Sequence, residues 1–292
     1  MPINRLRVAC LQLTPGTDVA ANIVQVRTLA EQAVADGANV VATPEYVAAL
    51  DSSSRGMRAH AMPEAEHRAL SAFRSLARDL NIWFLAGSLT VTTDSEKIAN
   101  RSYLIDPHGG ICATYDKLHM FDVSLADGRT FRESRTYRAG DDAVVADTPF
   151  GRVGLTICYD IRFPHLYRAI AKEGARLIFV PASFHETGRD VWHVLLRSRA
   201  IETSAYIVAP ATCGTHSANG RTLGHSLIVD PRGTILADGG REPGVIVADI
   251  DLERSDQLRA ALPSLQHDRP FGMRVGTSRS EPPPPDPLCS KT

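Results

Sequence analysis

No stretch of this 292-residue chain approaches the ~20 consecutive apolar residues that a membrane-spanning helix needs. No charge of one sign dominates: 32 Lys plus Arg stand against 33 Asp plus Glu, a net charge of -1. Without a basic surplus there is no electrostatic draw toward nucleic acid or an anionic bilayer, and neither is expected as a partner. Cysteine is sparse and odd in number. Cys10, Cys112, Cys158, Cys213 and Cys289 are widely spaced with no C-x-x-C, which argues against a disulfide framework or a thiolate zinc site. The opening MPINRLRVAC runs into a strand and lacks the apolar centre of a signal peptide, so a reduced, cytoplasmic setting is expected. G-x-G-x-x-G is absent, and His185, Glu186 and His193 do not follow H-E-x-x-H spacing. No cofactor and no metal are therefore expected.

What the chain does have is an alternation of strand-like and helix-like text, made twice. RLRVACLQLT reads as a strand, residues 20–36 as a helix stopped by Gly37, and ANVVATPE as a short strand. Residues 63–80 have helical periodicity, with Leu70, Phe73, Leu76 and Leu80 on one face. IWFLAGSL is a strand, and RSYLIDPHGGICATY is a hairpin turned by Asp-Pro-x-Gly. The second half repeats this order: RVGLTICYD, HLYRAIAKEGARLIFVPASF, a helix over 191–204, AYIVAPAT, and HSLIVDPRGTILADGG with Asp-Pro-x-Gly again. Shared order and shared turn chemistry imply an internal duplication. Each half would form a sheet covered by helices on one face. Packing the two bare faces together gives an α/β fold, a four-layer αββα sandwich with a pseudo-two-fold axis. The domain is expected over residues 1–275. The proline-rich tail 276–292, holding Cys289, is expected to be extended or disordered.

Reactive groups in open α/β sheets gather at the carboxyl ends of strands. Glu45 ends NVVATPE, Cys158 ends VGLTIC, and Lys117 follows the first hairpin. A carboxylate, a thiol and an ammonium at one rim suit acyl transfer. The thiol is the nucleophile, Glu45 shuttles its proton, and Lys117 steadies thiolate and oxyanion. The N–H of Tyr159 is a candidate second oxyanion donor. Taken singly, these residues also read as a small core cysteine, a solvated loop carboxylate and a surface lysine. A Cys–His protease, with His119, His165 or His225 as base, lacks the expected surroundings of its cysteine.

The motifs TPEY, YDKLHMFD, FRES and GLTICYDIRFPHLYR, followed by PASF, WHVLLRSRAIET and GHSLIVDPRGTILAD, resemble the nitrilase superfamily of carbon–nitrogen hydrolases over about residues 5–272. The resemblance is nearest to its omega-amidase and deaminated-glutathione amidase branch. It implies a Glu-Lys-Cys triad on Glu45, Lys117 and Cys158, a second glutamate on Glu133, the same sandwich, and a homodimer or larger assembly. HETGRDVWH departs from that branch, with His193 where a Glu is common. Tyr159 after the nucleophile favours an amide over a nitrile.

The expected reaction is thiol-dependent hydrolysis of an amide bond in a small carboxylate-bearing molecule through a thioester. An N-carbamoyl amino acid hydrolase or a nitrilase is the alternative, and a non-catalytic binding or assembly protein is the alternative of another class. Phe121, Phe184 and Trp192 are candidate pocket walls. Arg162 reads either as an ion-pair partner of Asp160 or as an anchor for a substrate carboxylate. Arg197 and Arg199 read as loop holders.

Overall fold

A computed structural model of the chain describes residues 3–124, 128–217 and 220–275. The tail 276–292, with Cys289, lies outside the described residues.

The first half runs β1 (Arg5–Gln12), α1 (Val19–Ala35), β2 (Val40–Ala42), α2 (Ser54–His60), α3 (Arg68–Leu80), β3 (Trp83–Thr92), β4 (Ile98–Ile105) and β5 (Ile111–Asp116). A small hairpin, β6 (Asp122–Ser124) and β7 (Thr130–Arg132), follows. The second half runs β8 (Val144–Thr148), β9 (Gly151–Leu155), α4 (Pro164–Lys172), β10 (Leu177–Phe179), α5 (Arg189–Thr203) and β11 (Tyr206–Ala209). It continues through a second small hairpin, β12 (Cys213–Ser217) and β13 (Gly220–Leu223), to β14 (Leu227–Val229) and β15 (Ile235–Asp238). β16 (Gly244–Asp251) and α6 (Glu253–Ala261) close the chain.

The main strands form two six-stranded sheets, ordered β16-β1-β2-β3-β4-β5 and β15-β14-β11-β10-β9-β8. In each, three parallel strands in βαβ connection are flanked by antiparallel ones. The period of two along the strands builds the layers. Val8, Cys10, Val40, Ala42, Leu85 and Leu104 point into a core shared with the second sheet. The alternate residues Ala9, Leu11, Val41, Phe84, Ala86, Tyr103 and Ile105 pack against Val26, Ala30, Leu70 and Phe73 of the outer helices. Each fully buried Leu, Val or Phe among them contributes about 1.5–3 kcal/mol of transfer free energy. The αββα sandwich is present as expected.

Local chemistry sets the punctuation, and it repeats. Asp106 Oδ1 accepts from the N–H groups of His108 and Gly110, and Asp230 Oδ1 accepts from those of Arg232 and Thr234. Gly109 and Gly233 take φ +78 and +81, the left-handed conformation both turns need. α1 begins at Asp18, whose carboxylate caps the N–H groups of Ala20 and Ala21, and α4 begins on Pro164, whose missing N–H costs nothing there.

The sequence expectations need three corrections. The helix expected from residue 63 begins at Arg68, because Pro63 leads a separate 3-10 turn over Glu64–Glu66. The strand expected to reach Cys158 ends at Leu155. The outer strands β8 and β16 were not anticipated. They pair antiparallel with β9 and β1, Arg5 opposite Asp251.

Candidate active site

Three strand ends meet at one rim. β2 stops before Pro44, which has no N–H to continue a ladder, and the chain turns at Glu45. Lys117 leaves β5 with its N–H donating to Asn100 O at 3.0 Å. Cys158 follows β9 with its N–H donating to Pro181 O at 2.9 Å. All three are buried, and Cys158 keeps 9% exposure.

Cys158 has φ +48, a left-handed backbone that a residue with a Cβ takes at a cost of order 1–3 kcal/mol. Asp160 holds that turn. Its fully buried carboxylate accepts from Ile157 N–H at 2.8 Å, Tyr115 O–H at 2.7 Å and His119 N–H at 3.1 Å, and lies 2.7 Å from His119 Nδ1. The ion pair between Asp160 and Arg162, one of the two readings of Arg162, is therefore not formed. Asp160 is sealed inside with these partners, whereas Arg162 is exposed. Arg199 holds the same turn from α5, Nε donating to Ile161 O at 2.8 Å. Arg197 Nε donates to Gly233 O at 2.8 Å, so both arginines brace loops.

At the centre sits a buried cation between two carboxylates. Lys117 Nζ donates to Glu45 Oε1 at 3.0 Å and to both oxygens of Glu133 at 3.0 Å. Asn100 Nδ2 donates to Glu45 Oε1 at 2.9 Å, and Ser183 N–H to Glu45 Oε2 at 2.8 Å. Tyr46 O–H donates to Glu133 Oε1 at 2.9 Å, and Phe121 N–H to Glu133 Oε2 at 2.6 Å. Buried charges persist only when paired and hydrogen-bonded in this way. Asn100, Tyr46 and Ser183 were missed in the sequence. The one signal for Asn100 is an amide in mid-strand, where asparagine is disfavoured.

The protonation states follow from these neighbours. Burial acts to lower the Lys117 pKa, but the Glu133 and Glu45 charges outweigh it and hold it well above its ordinary value. Lys117 stays an ammonium. Burial, then the charge of Glu45, pushes the Cys158 thiol well up against the opposing pull of Lys117. The sulfur thus rests as the thiol. Burial, then the Glu133 charge, keeps the Tyr46 hydroxyl a donor.

Around this centre, Tyr159 packs edge-on against Phe121 and Phe163, with ring centroids 5.1 and 5.4 Å away. Phe121 also meets Phe131 of the β6–β7 hairpin at 5.2 Å. Beyond them, His185 Nε2 lies 2.7 Å from Arg129 Nη1, and Glu186 faces Arg221 at 3.7 Å and Arg241 at 3.8 Å. Trp192 is not a pocket wall. It is fully buried in the core, donates Nε1–H to His225 O at 2.8 Å, and packs tilted at 38° against Phe184, itself 8% exposed, with ring centroids 4.7 Å apart. His119 and His225 turn to Asp160 and Asp238 and do not serve Cys158 as base. Surface hollows of 510 and 580 Å³ lie over Arg152 and Lys172 and over Arg5 and Asp249, and Cys158 lines neither.

Comparison with known proteins matches this architecture. The carbon-nitrogen hydrolase family model matches residues 7–260. A deaminated glutathione amidase of Synechocystis sp. is 41% identical over 265 residues, 89% of this chain and 96% of that protein. Saccharomyces cerevisiae Nit3, a member of branch 10 of the nitrilase superfamily, superposes with TM-score 0.81 at 28% identity, covering 90% of this chain and 96% of that one. An amidase from Nesterenkonia sp. AN1, seen with acrylamide added to its active-site cysteine, superposes with TM-score 0.75 at 27% identity, covering 88% and 98%.

Proposed function

The chain belongs to the carbon–nitrogen hydrolase family of the nitrilase superfamily, and from that premise we propose that Glu45, Lys117 and Cys158 are its catalytic triad. The reaction is hydrolysis of a non-peptide carbon–nitrogen amide bond. The observation that carries the triad is the buried Glu45–Lys117 ion pair, whose two charges act in opposite directions on the Cys158 thiol.

Cys158 Sγ attacks the amide carbon as Glu45 takes the thiol proton. The thiol rests neutral, so this transfer belongs to the chemical step and the nucleophile is not stored as an anion. The carbonyl oxygen becomes an oxyanion facing Lys117 Nζ and the Tyr159 N–H, donors that act most strongly in a dry site. Collapse breaks the C–N bond, and Glu45 returns its proton to the departing amine. Glu45, a carboxylate again, then takes a proton from water as the water attacks the thioester. That proton finally returns to sulfur when the acid leaves. Glu133 acts through Lys117: with Tyr46 and Phe121 fixing its two oxygens, it aims the ammonium.

The substrate we propose is a small amide bearing a carboxylate, of the deaminated-glutathione kind. Relatives named for that activity and the arginines flanking the 185–186 segment support this reading. Tyr159 after the nucleophile supports an amide over a nitrile. One domain over residues 1–275 would carry the activity, as the extent of the family match supports. Apolar Val194 and Ile201, exposed on α5, support a homodimer or larger assembly. Among the described residues no helix is long and apolar enough to cross a membrane. The free thiols Cys10, Cys112, Cys158 and Cys213 support a reducing cytoplasm.

The test is a screen for released ammonia or amine over deaminated glutathione, omega-amides, N-carbamoyl amino acids and simple nitriles. Turnover of the first two classes, abolished by Cys158→Ala, is expected. Turnover that survives this change would refute the triad, and exclusive turnover of nitriles would refute the substrate class.

A further inference from the structure

Beside Trp192, three metal-ligating side chains from separate elements converge. His193 lies in α5, His225 just before β14, and Asp238 at the end of β15. His193 Nε2 is 3.1 Å from Asp238 Oδ2, and His225 Nδ1 is 2.8 Å from Asp238 Oδ1. One ligand atom from each lies within 4.8 Å of the others. We infer that His193, His225 and Asp238 form a binding site for one Zn²⁺-like divalent transition-metal ion, which ties α5 to the β14–β15 hairpin.

The geometry suits such an ion. Arms of about 2.0–2.1 Å set at tetrahedral angles place neighbouring ligand atoms roughly 3.3 Å apart. The two observed N···O contacts end on different oxygens of Asp238, so its carboxylate turns to present one oxygen toward both rings as the ion enters. The imidazole rings stand at 69° with centroids 5.0 Å apart, so they approach a common point without stacking. In the metal-free chain the inward nitrogen of each ring donates its proton to the Asp238 carboxylate, and the ion takes that place once the proton is lost or moves to the other nitrogen. Two imidazoles and one carboxylate are a borderline-soft donor set, the kind that favours zinc over calcium or magnesium. The side chains keep 30%, 19% and 34% exposure for His193, His225 and Asp238, which leaves solvent a route to a fourth position.

The supports behind the ligands are also built. Asp238 Oδ1 accepts from Gly240 N–H at 2.9 Å, and Trp192 Nε1 donates to His225 O at 2.8 Å. Groups of this sort fix the orientation of metal ligands. His225 is held at φ +52, a backbone that residues with a Cβ rarely adopt, and this aims its ring at Asp238. The linear segment gave no such reading, because Asp238 lies 45 residues beyond His193 and 13 beyond His225. The nearer residues are committed elsewhere: His185 caps Thr187 N–H, and Glu186 faces Arg221 and Arg241.

The test uses the untagged full-length chain carrying Cys158→Ala, so that the catalytic sulfur does not compete for metal. After treatment with EDTA, Co²⁺ titration should give the intense visible bands of tetrahedral Co²⁺ at one equivalent per chain. Zn²⁺ should displace it and raise the melting temperature. His193→Gln keeps a good helix former, and His225→Asn keeps a residue tolerant of positive φ. Each should weaken binding roughly 100-fold or more while the circular dichroism spectrum is retained. Asp238→Asn should do the same. No tetrahedral Co²⁺ spectrum, or binding unchanged in folded His193→Gln and His225→Asn, overturns the inference. Neither outcome bears on the triad, which Cys158→Ala has already removed from the assay.

Discussion

The two halves share a frame and differ in what they place on it. Cys10 pairs with Ala42 in the first sheet, and Leu155 pairs with Phe179 in the second. Stepping three residues outward along β1 and β9 reaches Leu13 in one half and Cys158 in the other. Stepping outward along β2 and β10 reaches Glu45 and Ala182. The hairpins align through Ala113 and Ala237, which pair with Leu104 and Ile228, so that Lys117 corresponds to Arg241. At each equivalent pair, one half keeps a candidate catalytic group while the other keeps a packing or surface residue. A duplicated fold supplies two rims that face each other, but only one working set is assembled. The glutamate and lysine come from the first half and the sulfur from the second.

The largest effect expected on that comparison is the contrast between Cys158→Ala and Leu13→Ala. The first should lower kcat by roughly 10⁴-fold or more and leave the melting temperature near that of the parent. The second removes a fully buried side chain. It should cost about 2–5 kcal/mol of stability and spare turnover per folded molecule. Denaturant melts and active-site-normalised kinetics separate the two. Equal loss of activity in both variants would mean the halves are not divided as described.

Lys117→Met against Arg241→Met sharpens the second pair. Lys117 sits between two buried carboxylates, so its loss leaves uncompensated charge and should cost about 3–5 kcal/mol along with activity. Arg241 is 42% exposed and faces Glu186 at 3.8 Å, an exposed pair worth at most about 1 kcal/mol. A Lys117→Met protein as stable as the Arg241→Met one would show that the buried centre is not held by its charges.

Gly87 marks where the halves touch. A Cβ there would lie 1.9 Å from Thr43 O, 2.4 Å from Pro44 O and 2.7 Å from Pro181 Cβ. It would push the Glu45 turn of one half against the loop of the other. Gly87→Ala should destabilise by about 1–3 kcal/mol and lower kcat through displaced Glu45. Unchanged kinetics would remove the link between this close approach and the site.

Much of this was legible in the chain because it is local. Helical spacing, Asp-Pro-x-Gly turns and strand-end polar residues are short-range signals, and they yielded the sandwich and Glu45, Lys117 and Cys158 as candidates, whereas Glu133 followed only from the resemblance to the family. What was not legible depends on long-range register. β16 pairs with β1 from the opposite end of the chain. Ser183 reaches Glu45 across 138 residues, and no pattern within either segment encodes that. Trp192 was misplaced for the same reason. An aromatic on a helix next to a strand end looks alike whether it faces a pocket or the core, and only the packing of α5 on the second sheet decides.

The smallest expected effect lies on the outer helices. In the second half, Asp268 takes Arg168 and Lys172 of α4 as partners, and Arg168 Nη2 also donates to Ser264 O at 2.7 Å. Residues 264–268 are thereby strapped over α4. In the first half, α1 has exposed pairs from Arg27 to Glu31 and Asp79, but among the described residues no such strap. The hydrogen bonds from Arg168 and Lys172 pull the Asp268 carboxyl down to about 2. Its folded value is thus below the unfolded one, near 3.9. The contribution is present above about pH 4 and is lost as the pH falls toward 2. Hydrogen exchange should therefore quicken in 264–268 and the exposed face of α4 across that window, while α1 stays as protected as before. Asp268→Asn should produce the same local loosening at neutral pH with little change in melting temperature. If acid opened both outer helices together, the strap would not be what separates them.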